Sequence, residues 1–187
     1  MDRYWLLTNT CYGTWLPGSK HGFVGRVWEH RPFDPERPRV VHNVPDTPYD
    51  KAMPGLESAA YQLLKGEPIH LRVEHAEIIQ AQFRETATIR GWSILALTIL
   101  FNHFHLVVGV EGDPAPGKIL GDFKSWATRT LNERLGKPPS KRWWTERGSK
   151  RRLSDDDAVA AAVRYVLYRQ RDFLVTWSPE TGLRYGS

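Results

Sequence analysis

The stretch FNHFHLVVGV, residues 101–110, decides how the middle of this chain is read. If 104–110 is a strand, side chains alternate between its faces with a period of two. Phe104, Leu106, Val108 and Val110 then form one apolar stripe, and His103 and His105 share the other face, roughly 7 Å apart along the strand. Two imidazoles at that spacing can converge on one metal ion. They can equally be polar residues on the less buried side of a sheet, and both readings stand on this stretch alone.

Working outward, residues 92–100 are strongly apolar and Asn102 lies at a turn, so the two strands are expected to pair as an antiparallel hairpin. Upstream, Val73, Ala76, Ile79, Phe83 and Ala87 recur at three- and four-residue spacing, which predicts an amphipathic helix over 73–90 stopped by Gly91. Downstream, after EGDPAPG, a second helix is expected over about 118–135. Leu120, Phe123, Ala127 and Leu131 face the core there, with Lys118 and Arg129 on the opposite side. Residues 141–147 and 151–153 read as short strands. Ser154 followed by three aspartates marks a helix start, with acids complementing the positive dipole end, and that helix is expected to run to about Arg171. The chain opens with an aromatic and β-branched strand over 3–12. The resulting order, strand, helix, strand, strand, helix, strand, helix, predicts an α+β fold of the ferredoxin-like sandwich kind, an antiparallel sheet with helices on one face.

The expectation is a single domain, residues 1–187, with a Pro/Gly-rich insertion at about 13–72. That region holds eight of the thirteen prolines and is read as irregular, with one short helix over 56–65. The one cysteine, Cys11, excludes an internal disulfide and a cysteine-based zinc site. A reducing, cytoplasmic setting is expected, with no signal peptide and no membrane span. Net charge is +5. Between Gly117 and Arg152 eleven basic residues stand against three acids, a segment of +8, which leaves the remainder at −3. Most charge runs are solvated faces. Here the cations alternate with Trp126, Trp143 and Trp144, and phosphates plus stacked bases would use both residue types. Lys118, Lys124, Arg129, Lys141, Arg142, Arg147, Lys150, Arg151 and Arg152 are therefore the expected nucleic-acid contacts, together with Trp144. On a strand, Trp143 and Trp144 would face opposite ways, so at most one is expected in the core.

The last helix carries Tyr165 and Tyr168. A tyrosine on an amphipathic helix usually packs with its hydroxyl at the edge. A phenol is also a nucleophile that can form a covalent phosphotyrosine, when a metal polarises the phosphoryl oxygens.

FNHFHLVVGV resembles the histidine–hydrophobe–histidine motif, usually preceded by asparagine or aspartate, of the single-tyrosine HUH transposases. These include insertion-sequence enzymes and the REP-associated tyrosine transposases. The likeness extends in order over most of the chain: an opening strand, a helix ending in GWSILAL, the motif strand, a helix with KSWATRTLNER, then RWWTERG, and a helix with Tyr165-Val166. It also takes in the glycine- and aromatic-rich segment 13–25. The resemblance implies a ferredoxin-like nuclease domain acting on single-stranded DNA, often beside a hairpin. It implies a divalent cation, Mg or Mn, held by His103 and His105, and Tyr165 as the nucleophile that stays joined to the 5′ phosphate. Imidazole ligands favour manganese over magnesium. In many members a glutamine or asparagine four residues after the tyrosine completes the metal site. Here that position is Arg169, and the glutamine is Gln170, which is carried over as the expected third metal-site residue although helical spacing would turn it well away from Tyr165. Tyr168 is the alternative nucleophile.

Some relatives work as homodimers with composite sites and others as monomers, and both arrangements remain open. The competing function is a non-catalytic or domesticated DNA-binding protein that recognises a hairpin. A histidine-based zinc hydrolase ranks third, for want of a third ligand. Trp15, His21 and Trp28 in the insertion are expected to contact the DNA. By spacing alone His21, His30, His42, His70 and His75 show no pairing and read as structural or surface residues.

Overall fold

The computed structural model describes residues 1–20, 25–28, 39–42 and 52–186. His21, His30 and the side chains of Trp28 and His42 lie outside the described residues.

The centre of the molecule is the expected hairpin, β4 (Ser93–Leu100) and β5 (His103–Val110), with Ile99 opposite Phe104 and Thr98 opposite His105. On its other side β5 pairs antiparallel with β1 (Arg3–Thr10), which sets Thr8 opposite His105 and Thr10 opposite His103. β6 (Ser149–Leu153) lines the far side of β1. With helices α2 (Val73–Arg90) and α3 (Pro116–Leu135) between them, these strands form a β-α-β-β-α-β run in the order β6-β1-β5-β4. That is the split βαβ arrangement. Two further strands, β7 (Phe173–Ser178) and β8 (Gly182–Tyr185), extend it to a six-stranded antiparallel sheet. The sequence reading ended at the last helix and missed both strands. FLVTWS, rich in β-branched and aromatic residues and followed by PETG, carries the hairpin signal.

α2 has the expected limits. Ala76, Ile79, Phe83 and Ala87 are buried, and Gly91 closes the helix at φ +66, a conformation that a Cβ disfavours. Phe83 meets Phe104 edge-on and Phe123 at a tilt, both at 5.0 Å between ring centroids, so α2 and α3 share one core against one face of the sheet.

The α+β class and the antiparallel sheet are as expected. The helices were expected on one face, and the structure places them on both. α4 (Asp156–Tyr168) covers the opposite face, where Ala162, Val166 and Leu167 pack on Ala96, Val107 and Leu153. The reason is visible in β5: past His105 its second face is Val107, which is fully buried and needs its own cover. Buried Thr98 pins α4 by donating to the Val166 carbonyl at 2.6 Å. Asp155 caps the helix by accepting from the Ala158 N–H. α4 ends at Tyr168, short of the expected limit at Arg171.

The strand expected over 141–147 does not form. Lys141 has φ +57, and a single bridge, Cys11 to Trp144, links the segment to the sheet end. The 13–72 region holds a two-stranded ribbon, β2 (Gly25–Trp28) with β3 (Arg39–His42), and the short helix α1 (Pro54–Gln62).

Candidate active site

His103 and His105 leave β5 on the face that α4 covers, as strand periodicity requires, and they converge. Their Nε2 atoms are 3.1 Å apart. Each ring is held from behind through Nδ1: His103 against the Asn102 side-chain oxygen at 2.6 Å, and His105 against Thr8 Oγ1 at 2.7 Å. His105 is buried and His103 half-buried. Burial disfavours the charged imidazolium and pulls His103 down to about 4. It takes His105 to about 3, with the neighbouring His103 adding to the fall. Both rings are therefore neutral near pH 7.

The last helix meets this pair with one tyrosine. The Tyr165 ring stands edge-on to His105 at 5.3 Å between centroids, and Tyr165 is partly exposed. Tyr168 turns toward β8, where the Arg184 guanidinium lies 5.6 Å from its ring centroid. Helical spacing argued against Gln170, but the helix has already ended there. Arg169 is the C-cap, its backbone N–H bonded to the Tyr165 carbonyl, and the Gln170 side-chain Nε2 donates to the same carbonyl at 3.2 Å. The Gln170 side chain lies near enough to His105 to favour that ring's protonated form, an influence that burial outweighs. Gln170 thus stands at the histidines because it is free of helical geometry. Among the described residues no group of three or more His, Cys, Asp or Glu side chains is arranged to hold a metal ion.

Three neighbours complete the surroundings. Thr8 and Asn102 were not singled out by sequence reasoning as ring partners; for Thr8 the only signal is its register opposite His105. Trp15, expected to contact DNA, lies with its ring 5.3 Å from the His103 ring. Its segment is tied down by Thr14, whose hydroxyl donates to the Cys11 and Asn102 carbonyls. His70 packs beside Phe101, and His75 accepts from the Arg72 N–H at the start of α2.

The expected nucleic-acid residues do not form one track around the histidines. Trp144 is buried: its ring meets Phe104 edge-on at 5.5 Å and its N–H donates to Thr128. Trp143 is buried too and donates to Asn132. The rule that adjacent residues face opposite ways fails because this segment is not a strand. Of the three interleaved tryptophans the exposed one is Trp126, on α3 with the Arg129 guanidinium 5.5 Å from its ring centroid. The Lys124 ammonium donates to Asn9 Oδ1 and to the Thr145 and Glu146 carbonyls, one acceptor for each hydrogen. Burial, reinforced by the charge of Lys150, lowers it to about 8. Lys118 and Arg129 pair with Asp122 and Glu133 one turn along α3, on the helix layer behind the sheet. Lys141, Arg142, Arg147, Lys150, Arg151 and Arg152 are exposed. By strand register Arg151, opposite Leu6, shares the face of the histidines, while Lys150 and Arg152 point the other way. No helix among the described residues is long and apolar enough to cross a membrane.

No family model and no curated protein matches the chain. Among solved structures it is similar to that of a REP-associated tyrosine transposase bound to a REP hairpin. The two are 13% identical with a TM-score of 0.46, over 88% of this chain and 64% of that one, so this chain spans less than two thirds of that protein's length.

Proposed function

We propose that this chain cuts and rejoins single-stranded DNA, with Tyr165 as nucleophile and a divalent ion, magnesium or manganese, held by His103, His105 and Gln170. The observation that carries the reading is the edge contact of the Tyr165 ring on a histidine whose Nε2 faces a second Nε2 at 3.1 Å. Two nitrogens ligating one ion at neighbouring positions through bonds of about 2.1 Å stand close to that distance apart. Both rings are neutral, as ligands must be, and the Gln170 amide adds an oxygen donor. Bound there, the ion would neutralise and orient a phosphate.

The Tyr165 hydroxyl attacks phosphorus and loses its proton. The new bond joins the phenolic oxygen to the DNA 5′ phosphate, and the bond to the departing 3′ oxygen breaks, that oxygen taking up a proton as a 3′ hydroxyl. Phosphoester bonds are conserved in number, so a second 3′ hydroxyl can reverse the step without an external energy source. Histidines and tyrosine meet within one chain, so the reading needs no second copy.

A second reading, a hairpin-binding protein without chemistry, is favoured by the lack of a carboxylate beside the histidines among the described residues. Incubation with single-stranded DNA and manganese, followed by a denaturing gel, separates the two. Wild type is expected to give a covalent protein–DNA band that Tyr165→Phe abolishes and Tyr168→Phe retains. The reverse pattern would move the nucleophile to Tyr168. No band on DNA that the protein binds would favour the second reading.

A further inference from the structure

Resting on the metal-site reading above, the hydrogen-bond geometry around His105 points to Thr8 as the residue that holds its ring in either tautomer and so lets His105 turn a second Nε2 lone pair toward an ion. We propose Thr8 as a positioning residue, not a catalytic one.

A neutral imidazole has one N–H and one lone pair. For His103 the assignment follows from its partner. The Asn102 side-chain oxygen, 2.6 Å from Nδ1, can only accept, so Nδ1 carries the hydrogen and Nε2 carries a lone pair. The partner of His105 is different in kind. A threonine hydroxyl both donates and accepts, and its rotor decides which. If Thr8 donates to Nδ1 across their 2.7 Å, then Nε2 carries the hydrogen and donates to His103 Nε2 at 3.1 Å. If Thr8 instead accepts from Nδ1–H, both Nε2 lone pairs face one point. They repel one another unless a cation lies between them.

Thr8 therefore gives buried His105 a partner in both arrangements. Without the ion the hydrogens run Thr8 to His105 to His103. With the ion the His105 hydrogen is on Nδ1 and the hydroxyl has turned to accept it. Each ring keeps one hydrogen, so the exchange takes up and releases no net proton. A carbonyl at position 8 would fix the second state, and an apolar side chain would support neither. The strand register that sets Thr8 opposite His105 supplies this contact directly from the neighbouring strand.

The test is manganese affinity, read by electron paramagnetic resonance on wild type, Thr8→Ser and Thr8→Val. Removing the partner behind a metal-binding histidine lowers affinity by about 10–100-fold. Thr8→Val is expected to show that weakening, while Thr8→Ser, which keeps the hydroxyl, binds as wild type does. If wild type binds manganese and Thr8→Val binds equally tightly, the role of Thr8 is overturned while the metal site stands. If wild type binds none, the metal reading falls and this inference with it. Nitrogen-15 resonances of His105 in the wild-type protein give an answer that needs no variant. The hydrogen is expected on Nε2 in metal-free buffer and on Nδ1 at a magnesium concentration that displaces bound manganese, and an unchanged tautomer there would overturn the proposal.

Discussion

At the scale of the residue, the two histidines tie stability to pH. Unfolded, each titrates near its ordinary 6.5; folded, burial holds His103 near 4 and His105 near 3. Between those values the unfolded chain binds protons that the folded chain does not, so stability falls as pH drops from about 6.5 toward 4. Thermal unfolding in metal-free buffer is expected at a lower midpoint at pH 5 than at pH 7. In His105→Asn that dependence should be flatter, and equal slopes in the two proteins would show that burial of this ring is not its source. The sharing of one face by the pair was legible from the period of two. Their partner Thr8 was not, since it comes from a strand nearly a hundred residues away; Gln170 was named by the resemblance, but its place beyond a helix end was not legible.

At the scale of the element, the segment 141–147 departs furthest from its sequence reading. Alternation would have left one tryptophan outside, and the positive φ of Lys141 breaks the strand before that rule can apply. Trp144 instead fills the space beside Phe104. Trp144→Ala is accordingly expected to cost about 3–5 kcal/mol in urea unfolding, the range for truncating a buried tryptophan. A change confined to DNA affinity, with stability intact, would restore the stacking role. Gly148 lies against β1: a Cβ there would come within 2.5 Å of the Thr8 carbonyl and Asn9 Oδ1, the latter an acceptor of Lys124. The early end of α4 is the other element-scale event. A further helical turn would have carried Gln170 away from Tyr165.

At the scale of the whole molecule, a segment of +8 reads as one basic track in the linear chain, and folding divides it. Lys124 is half-buried with its ammonium bonded within the protein, Lys118 and Arg129 are ion-paired on α3, and exposed Lys150, Arg151 and Arg152 line β6, the strand at the edge of the sheet. Charges on an edge strand also discourage strand addition by another chain. Replacing all three by serine tests the two roles. If they meet phosphates, the slope of log affinity against log salt on single-stranded DNA is expected to fall by about 0.7 for each phosphate no longer neutralised. An unchanged slope with increased self-association would leave them as guards of the edge.

The sequence by itself determined the β-α-β-β-α-β order, the hairpin, the limits of α2, and the common face of His103 and His105. Each follows from periodicity and caps, which act over a few residues. Only the tertiary structure decided that α4 covers the histidine face, that Tyr165 and not Tyr168 stands against His105, and that Gln170 reaches the pair. It also decided that the two adjacent tryptophans go inward together. Those outcomes depend on which strands become neighbours and on where a helix is forced to stop, and both are set by packing between segments far apart in the chain.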